Sequence, residues 1–318
     1  MDLFGNPDIC LGFLEMCDVS TAREVCFALL SSRKYRNYGT QYRIWERLIQ
    51  SHFGPRRHYD PLYSFESMPQ VFQNPHWPES FIPEVDELSP PCKEFLETAM
   101  ERGLFESIKI IAGDIGRIRE IDDVPVDCII FPTNSSLVSF GVGAAGAISN
   151  RAGPELMRLV RSEAYQRIRR RTTDAIVTPG FNTGVDHLIH CVGPSPHRPD
   201  CQENLYRTYL NALKRAREVG ARCVVIASIS TGALGFPAKK AAELAMRAFR
   251  DFIKSLRWSA KVSIVCMDKK VENAMIAEHA NILRRFNDGC LDLTQWNAQE
   301  TPFTMEIPLA IPPQLFDE

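Results

Sequence analysis

Residues 126–153, VDCIIFPTNSSLVSFGVGAAGAISNRAG, place an apolar run, a polar turn, a glycine-rich loop and the start of a helix directly after one another. The apolar run, 126–131, is typical of a strand that is covered on both faces of a sheet, and Pro132 is expected to end it. The polar residues 134–136 then lie just past its carboxyl end, where open α/β sheets bind their ligands. This order of elements predicts an α/β fold with a ligand site at that edge.

Two glycine-rich loops follow predicted strands. In the first, Gly141 and Gly143 let the main chain approach a ligand closely and leave N–H groups free at the start of the next helix. The second loop, 230–237, follows an apolar run at 223–229 and precedes a predicted helix at 239–252. Two such units can hold a diphosphate from both sides, whereas either loop alone is equally consistent with a structural turn.

Composition limits the classes of protein that the chain can represent. Its 318 residues suit two domains, or one domain with a large extension, and 45% hydrophobic with 24% charged residues describe a soluble globular protein. The net charge of −2 offers no general attraction to nucleic acid or to an anionic membrane, so we expect neither as a partner. The 10 cysteines form no CxxC pair and no zinc-like spacing, so we expect reduced thiols, no metal, and a cytoplasmic or nuclear location. No run approaches a membrane span, and we expect no secretion signal.

Five short sequence motifs, in this order along the chain, resemble those of the macrodomain family, whose members bind ADP-ribose. They are GDI at 113–115, the loop with Asn134 and Gly141, TPGFN at 178–182, IHCVGP at 189–194 and ISTG at 229–232. The resemblance covers about 108–267, roughly half of the chain. It implies a three-layer α/β/α domain with a mixed sheet at 107–285, and ADP-ribose as the ligand without a further cofactor.

The resemblance also assigns ligand contacts. In the family, the aspartate of the first motif accepts a hydrogen bond from the adenine amino group, which gives that role to Asp114; a turn-forming aspartate before Gly116 is the alternative. Asn134 is expected at the terminal ribose, and main-chain N–H groups meet the diphosphate without any lysine. The predicted contact residues are Asp114, Ile115, Asn134, Gly141, Val142, Gly143, Ala144, Ser230, Thr231, Gly232, Ala233, Leu234, Gly235 and Phe236.

The chain departs from the hydrolytic members of the family. They carry an asparagine three residues before the position of Asn134, where this chain has Phe131, and an acidic residue in the glycine loop that helps to activate a water. No carboxylate occurs at 138–148, so this loop offers no general base. Leu234 replaces the aromatic residue that usually covers the terminal ribose. Three phenylalanines are candidates to replace that ring: Phe140, Phe181 and Phe236.

These departures favour a module that binds ADP-ribose or an ADP-ribosylated protein over an enzyme. The alternative is an ADP-ribosyl or related phosphoester hydrolase with a non-standard site. Its candidate residues are Asp186, His187, His190 and Ser230. His190 also suits a structural role as a hydrogen-bonded histidine within an apolar strand. A third alternative is a pocket that binds another nucleotide or has lost its ligand.

The amino-terminal region, 1–54, predicts a small helical domain, including a capping box at 21–24. It resembles an F-box, in which a proline, here Pro7, opens a compact three-helix unit and a tryptophan, here Trp45, closes it. The resemblance implies docking to a Skp-type adaptor of a cullin ubiquitin ligase through an exposed apolar face. A helical lid is the alternative.

Three further segments complete the predicted organisation. Residues 55–106 form a connector rich in proline and aromatic residues, with a helix at 92–104. The arginine-rich stretch at 158–171 suits a solvated helix face, or else contact with an acidic partner. Residues 286–318 form a proline-rich acidic tail, which either wraps a domain as an extended strip or is disordered.

Overall fold

The computed structural model describes most of the chain and divides it into two compact units. The described residues are 4–54, 88–138, 141, 143–167, 170–256 and 258–290. The first unit takes in the described residues up to Ser107 together with 279–290, and the second takes in those from Ile108 to Glu278. The predictions for 55–87, Phe140 and Val142 lie outside the described residues. No helix in these ranges is long and apolar enough to span a bilayer.

Up to Ser107, the described residues of the first unit contain four α-helices with the predicted helical character. They are α1 (Pro7–Met16), α2 (Val19–Ser31), α3 (Tyr42–Phe53) and α4 (Pro90–Glu106). The Asn6 side chain accepts the N–H of Asp8 at 2.9 Å and caps α1. The cap of α2 is Asp18, whose Oδ1 accepts the N–H of Thr21 at 2.9 Å. The helix therefore begins before the predicted capping box, because an aspartate upstream supplies the acceptor.

Helix α4, which the sequence predicted within the connector 55–106, packs inside the first unit. The Phe95 ring lies 5.6 Å from that of Trp45 and 5.4 Å from that of Phe53. The indole Nε1 of Trp45 donates to the carbonyl oxygen of Tyr38 at 2.7 Å, so its polar edge is satisfied within the apolar core. These contacts extend the helical unit beyond the predicted boundary at residue 54.

The segment 279–290 also belongs to the first unit, although it is remote in sequence. The main-chain N–H of Asn287 donates to the carbonyl oxygen of Phe53 at 2.9 Å, at the end of α3. The start of the predicted tail, 286–318, therefore lies within this helical unit. The remainder of that tail, from residue 291, lies outside the described residues.

The second unit is built on one six-stranded sheet. Its strands are β1 (Lys109–Ala112), β4 (Cys128–Thr133), β5 (Ala175–Pro179), β6 (His187–Val192), β7 (Cys223–Ala227) and β8 (Lys261–Cys266), and a separate hairpin consists of β2 (Glu120–Ile121) and β3 (Val124–Pro125). The strand order in the sheet is β1-β8-β7-β4-β6-β5, and only β5 runs antiparallel to its neighbour. The predicted α/β class and mixed sheet are confirmed.

Helices cover both faces of this sheet. They are α5 (Gly143–Ala152), α6 (Pro154–Arg161), α7 (Glu163–Gln166), α8 (Cys201–Glu218), α9 (Ala238–Leu256) and α10 (Lys269–Arg284), the last of which begins in the second unit and ends in the first. Ile129 and Phe131 share one apolar cluster with Ile148 of α5. Cys128 and Ile130 point to the opposite face and are also fully buried. The continuous apolar run therefore reflects a strand buried between two helical layers.

Strand β4 continues through Pro132, where the sequence predicted its end. Pro132 is in register with Cys191 of β6. On its other side, β4 pairs with β7 only at residues 128–130. Proline is tolerated here because the ladder with β7 has already stopped, so its missing N–H breaks no bond on that side.

Candidate functional site

A cleft of about 580 Å³ opens at the carboxyl edge of the sheet in the second unit. The strand ends contribute Gly113 after β1, Thr133 of β4, Val192 of β6, Ala227 of β7 and Val265 of β8. Because these strands are parallel, their carboxyl ends and the loops that follow them meet at one edge. Within the described residues, the cleft wall contains no lysine or arginine.

One wall of the cleft is the first turn of α5. Gly143, Ala144 and Ala145 line the cleft. The first N–H groups of a helix have no acceptor within it, and the helix dipole adds a partial positive charge. Gly143 has φ +64°, and a Cβ placed there would meet nothing within 4 Å, so glycine is favoured by the backbone conformation and not by lack of space. This wall is suited to an anion.

The second wall is the loop between β7 and α9. Residues 231–234 line the cleft, and their main-chain N–H groups donate no hydrogen bond to any described residue. The loop is held by its own bonds: the N–H of Gly235 donates to the carbonyl oxygen of Gly232 at 2.8 Å, and that of Phe236 to Ser230 at 3.0 Å. Ser230 and Gly235 have φ of +64° and +67°. The turn thus leaves several main-chain donors without a protein acceptor at residues of the cleft wall.

A buried tyrosine anchors the start of this loop. The main-chain N–H of Ile229 donates to the Oη of Tyr209 at 2.9 Å. Tyr209 belongs to α8 and is fully buried, and this burial raises the pKa of its phenol above the usual range. The phenol therefore stays neutral and fixes the point at which the loop leaves β7.

The turn after β4 brings Asn134 and Ser135 into the cleft wall. The Oγ of Ser136 donates to the Oδ1 of Asn134 at 2.8 Å, and the N–H of Leu137 donates to the carbonyl oxygen of Asn134 at 3.1 Å. Leu137 is fully buried and has φ +58°. Since the bond from Ser136 occupies only the side-chain oxygen, the Nδ2 of Asn134 is the donor available to a ligand.

The turn after β1 holds the predicted adenine contact. The Oδ1 of Asp114 accepts the N–H of Gly116 at 2.9 Å, and its Oδ2 lies 3.7 Å from the Nε of Arg117. Asp114 thus makes the turn contact that the alternative interpretation describes. Asp114 is partly exposed and lies in the chain between Gly113 and Ile115, which both line the cleft.

Sequence reasoning missed two residues at this end of the cleft. Met267 and Asp268 follow β8 and line the wall beside Val265. The Oδ1 of Asp268 accepts the N–H of Lys270 at 2.7 Å, at the start of α10. The available signal was the predicted last strand: the residues that follow a parallel strand are expected at the same edge as those that follow its neighbours.

The structure brings together most of the predicted contact residues. Those that line the cleft are Ile115, Asn134, Gly143, Ala144, Thr231, Gly232, Ala233 and Leu234. Asp114, Gly141, Ser230, Gly235 and Phe236 are not part of its wall, and Val142 lies outside the described residues. Ser230 and Phe236 are 3% and 4% exposed, because their side chains turn into the protein interior.

Leu234 lines the cleft and remains 43% exposed. Phe181 packs against the apolar cluster of the sheet, and Phe236 is buried. Neither ring lines the cleft, and Phe140 lies outside the described residues. Among the described residues, no phenylalanine replaces the aromatic cover that the resemblance led us to expect.

The residues proposed for a hydrolytic site do not meet at the cleft. Asp186 and His187 lie at the amino end of β6, where His187 pairs with Cys128, about 16 Å along the strand from Val192. His190 is fully buried, and its Nε2 is 2.9 Å from the Oγ1 of Thr178. Burial lowers the pKa of His190 to about 3, so this histidine is neutral and structural.

Charge at the cleft is correspondingly sparse. Asp268 is the only charged side chain among the described residues of the wall. The described ranges also contain no group of three or more His, Cys, Asp or Glu side chains arranged to hold a metal ion. The described wall therefore offers a ligand mainly main-chain N–H groups, the Asn134 amide and apolar surface.

Comparisons with known proteins match the part of the chain that forms this cleft. A family model described as Macro domain matches residues 130–245. The chain is 36% identical over 172 residues to a protein from Escherichia fergusonii named O-acetyl-ADP-ribose deacetylase, covering 51% of this chain and 89% of that protein. It is 34% identical over 151 residues to a macro domain-containing protein from Caldanaerobacter subterraneus, covering 47% and 82%. A solved structure of an Oceanobacillus iheyensis macrodomain with ADP aligns with TM-score 0.50 and 27% identity, over 55% of this chain and 90% of that one.

Proposed function

Because this chain belongs to the macrodomain family, we propose that its cleft binds ADP-ribose, either free or as the ADP-ribosyl group of a modified protein. The observation that carries the proposal is the pair of N–H-rich segments, the first turn of α5 and residues 231–234, in the wall of one cleft. A diphosphate between them would accept hydrogen bonds from both. The absence of lysine and arginine from the described wall fits recognition by main-chain groups.

The strand order suggests how the ligand lies. Ile115 and Met267 follow the neighbouring strands β1 and β8 and would provide an apolar site for adenine. Asp114, adjacent to Ile115 in the chain, is our candidate acceptor for the adenine amino group. Asn134 follows β4, which is two strands from β8. At about 4.8 Å per strand, these ends of the cleft are about 10 Å apart, which suits two ribosyl groups separated by a diphosphate. The terminal ribose would then meet the Nδ2 of Asn134.

The distribution of charge favours binding over hydrolysis. A general base must lie within hydrogen-bond reach of the water that it activates. The one carboxylate in the described wall, Asp268, follows β8 and is therefore remote from Asn134. We place this protein among modules that recognise ADP-ribose, and we keep a hydrolase as the second candidate because a relative of 36% identity is named O-acetyl-ADP-ribose deacetylase.

Two measurements test this proposal. Titration calorimetry with ADP-ribose should show saturable binding at one site, and the absence of a heat signal together with the absence of a thermal shift would remove the binding function. Incubation with O-acetyl-ADP-ribose, and separately with a mono-ADP-ribosylated protein, should release no acetate and no ADP-ribose. Steady turnover of either compound would instead make the protein a hydrolase with a non-standard site.

We further propose that the helical first unit docks a partner protein, and that a Skp-type adaptor is that partner. The supporting observation is an apolar stripe on α1, in which Ile9, Phe13 and Met16 are 50%, 41% and 82% exposed. These residues share one face of the helix by their spacing. An exposed face of this kind suits helix packing with a partner.

All 10 cysteines are free thiols, which supports our proposal of a cytosolic or nuclear location.

Co-purification of the full chain with a Skp-type adaptor tests this second proposal. Phe13→Asp should abolish association, because it places a charge in the apolar stripe. Ser20→Asp, at an exposed position on α2, is the matched control and should leave association unchanged. Failure of the unsubstituted chain to associate would leave the first unit without a ubiquitin-ligase role.

A further inference from the structure

Arg170 lies next to the Asn134 turn, although it is not part of the cleft wall. Its Nη1 donates to the carbonyl oxygen of Ser135 at 3.2 Å, and its Nη2 donates to the carbonyl oxygen of Tyr165 in α7. The Oη of Tyr165 in turn donates to the carbonyl oxygen of Val177 in β5 at 3.2 Å. One guanidinium therefore connects the turn to a helix that is itself tied to the sheet.

The turn is held to the domain at its two ends, by strand β4 before Asn134 and by Leu137, which is buried in the apolar cluster of the sheet. The bond from Ser136 to Asn134 and the bond from Leu137 to Asn134 are both internal, so they fix the shape of the turn between these ends. Leu137 adopts φ +58°, a left-handed conformation that costs a non-glycine residue free energy and persists only where its surroundings impose it. Among the hydrogen bonds of the described residues, the bond from Arg170 to Ser135 is the only one that connects 134–136 with another element.

The chemistry of arginine suits this task. Hydrogen bonds from a charged donor are roughly twice as strong as neutral ones. A planar guanidinium also serves two carbonyl groups at once, whereas the single ammonium of lysine cannot span both in the same geometry. Burial lowers the pKa of Arg170, which reflects a guanidinium partly withdrawn from water.

We propose that Arg170 is a positioning residue that holds the Asn134 amide against the terminal ribose of the bound ligand, and so sets selectivity for ADP-ribose over ADP. This inference rests on the proposed function. ADP lacks the terminal ribose and therefore cannot contact Asn134 there. The affinity for ADP-ribose should depend on Arg170, and the affinity for ADP should not.

Calorimetric titration of the full chain with both ligands tests the inference. Arg170→Leu should weaken ADP-ribose binding about tenfold, the value of roughly one well-placed hydrogen bond, and should change ADP binding by less than about twofold. Arg170→Lys should lose an intermediate amount. Arg167→Leu is the matched control: its side chain is 76% exposed and pairs with Glu163 at the surface, so both affinities should stay unchanged.

A double-mutant cycle separates positioning from general support of the fold. In an Asn134→Ala background, Arg170→Leu should cause no further loss of ADP-ribose affinity, because the amide that it positions is gone. If Arg170→Leu leaves the ratio of the ADP-ribose and ADP affinities unchanged, because both are lost equally or neither is lost, the inference is overturned. If Arg170→Leu does not fold, Arg170→Lys decides by the same ratio. A wild-type chain that binds neither ligand would refute the proposed function itself.

Discussion

Gly232→Glu is the sharpest single perturbation of the proposed diphosphate site. Gly232 lines the cleft, and a Cβ placed on it would meet no atom within 4 Å. It is also absent from the glycines with positive φ among the described residues, so a side chain causes no backbone strain. The substitution should therefore change the cleft without unfolding the protein.

The expected loss follows from the charge that the substitution introduces. A glutamate at Gly232 places a carboxylate in the space assigned to the diphosphate. At about 5 Å and an effective dielectric constant of about 20, each pair of like charges costs about 3 kcal/mol. A penalty of this size weakens ADP-ribose binding about 100-fold or more.

Calorimetry with ADP-ribose and thermal unfolding would be measured on the same preparations. Gly232→Ala should bind within about threefold of the unsubstituted chain, since it adds a methyl group to open space. Gly232→Gln has the shape of glutamate without its charge and isolates the steric part. Near-normal binding by a folded Gly232→Glu variant would show that the diphosphate does not lie against this loop.

Three further predictions concern the adenine end, the loop anchor and the buried histidine. Asp114→Ala should weaken ADP-ribose binding about tenfold through loss of one hydrogen bond. Arg117→Ala, at a side chain that is 87% exposed, is the control and should leave the affinity unchanged. If calorimetry gives Asp114→Ala the same affinity as the unsubstituted chain, Asp114 is excluded from the site. Tyr209→Phe should lower the free energy of unfolding in urea by about 1–3 kcal/mol, because the buried N–H of Ile229 loses its acceptor; an unchanged value would mean that another group replaces it. His190 has its pKa lowered to about 3, first by burial and second by the charge of Arg170. The unfolded chain then binds a proton that the folded chain excludes, so the contribution of His190 to stability is fully present above pH 6.5 and falls by about 2 kcal/mol at pH 5. His190→Gln should remove this part of the difference between urea unfolding at pH 7 and at pH 5, and an unaltered difference would contradict the assignment.

Several features of the fold could be predicted from local sequence because local physics determines them. Residues 128–131 are apolar without alternation, which requires a strand with both faces covered, and the structure places helices on both sides of β4. The helix of the predicted connector was also recognisable, but its membership of the first unit was not. That depends on Phe95 packing against Trp45 and Phe53, which no local pattern reveals.

The candidate site divides in the same way. Two features of the site could be inferred from local sequence, because turns and helix starts depend on the residues within them. They are the two strand, glycine-loop and helix units and the position of Asn134 after a buried strand. Three other features could be seen only in the folded domain: Ser230 is buried, Asp268 lines the cleft, and Arg170 contacts the Asn134 turn. Strand order and side-chain direction in this domain result from long-range packing, which brings residues far apart in the chain to one edge of the sheet.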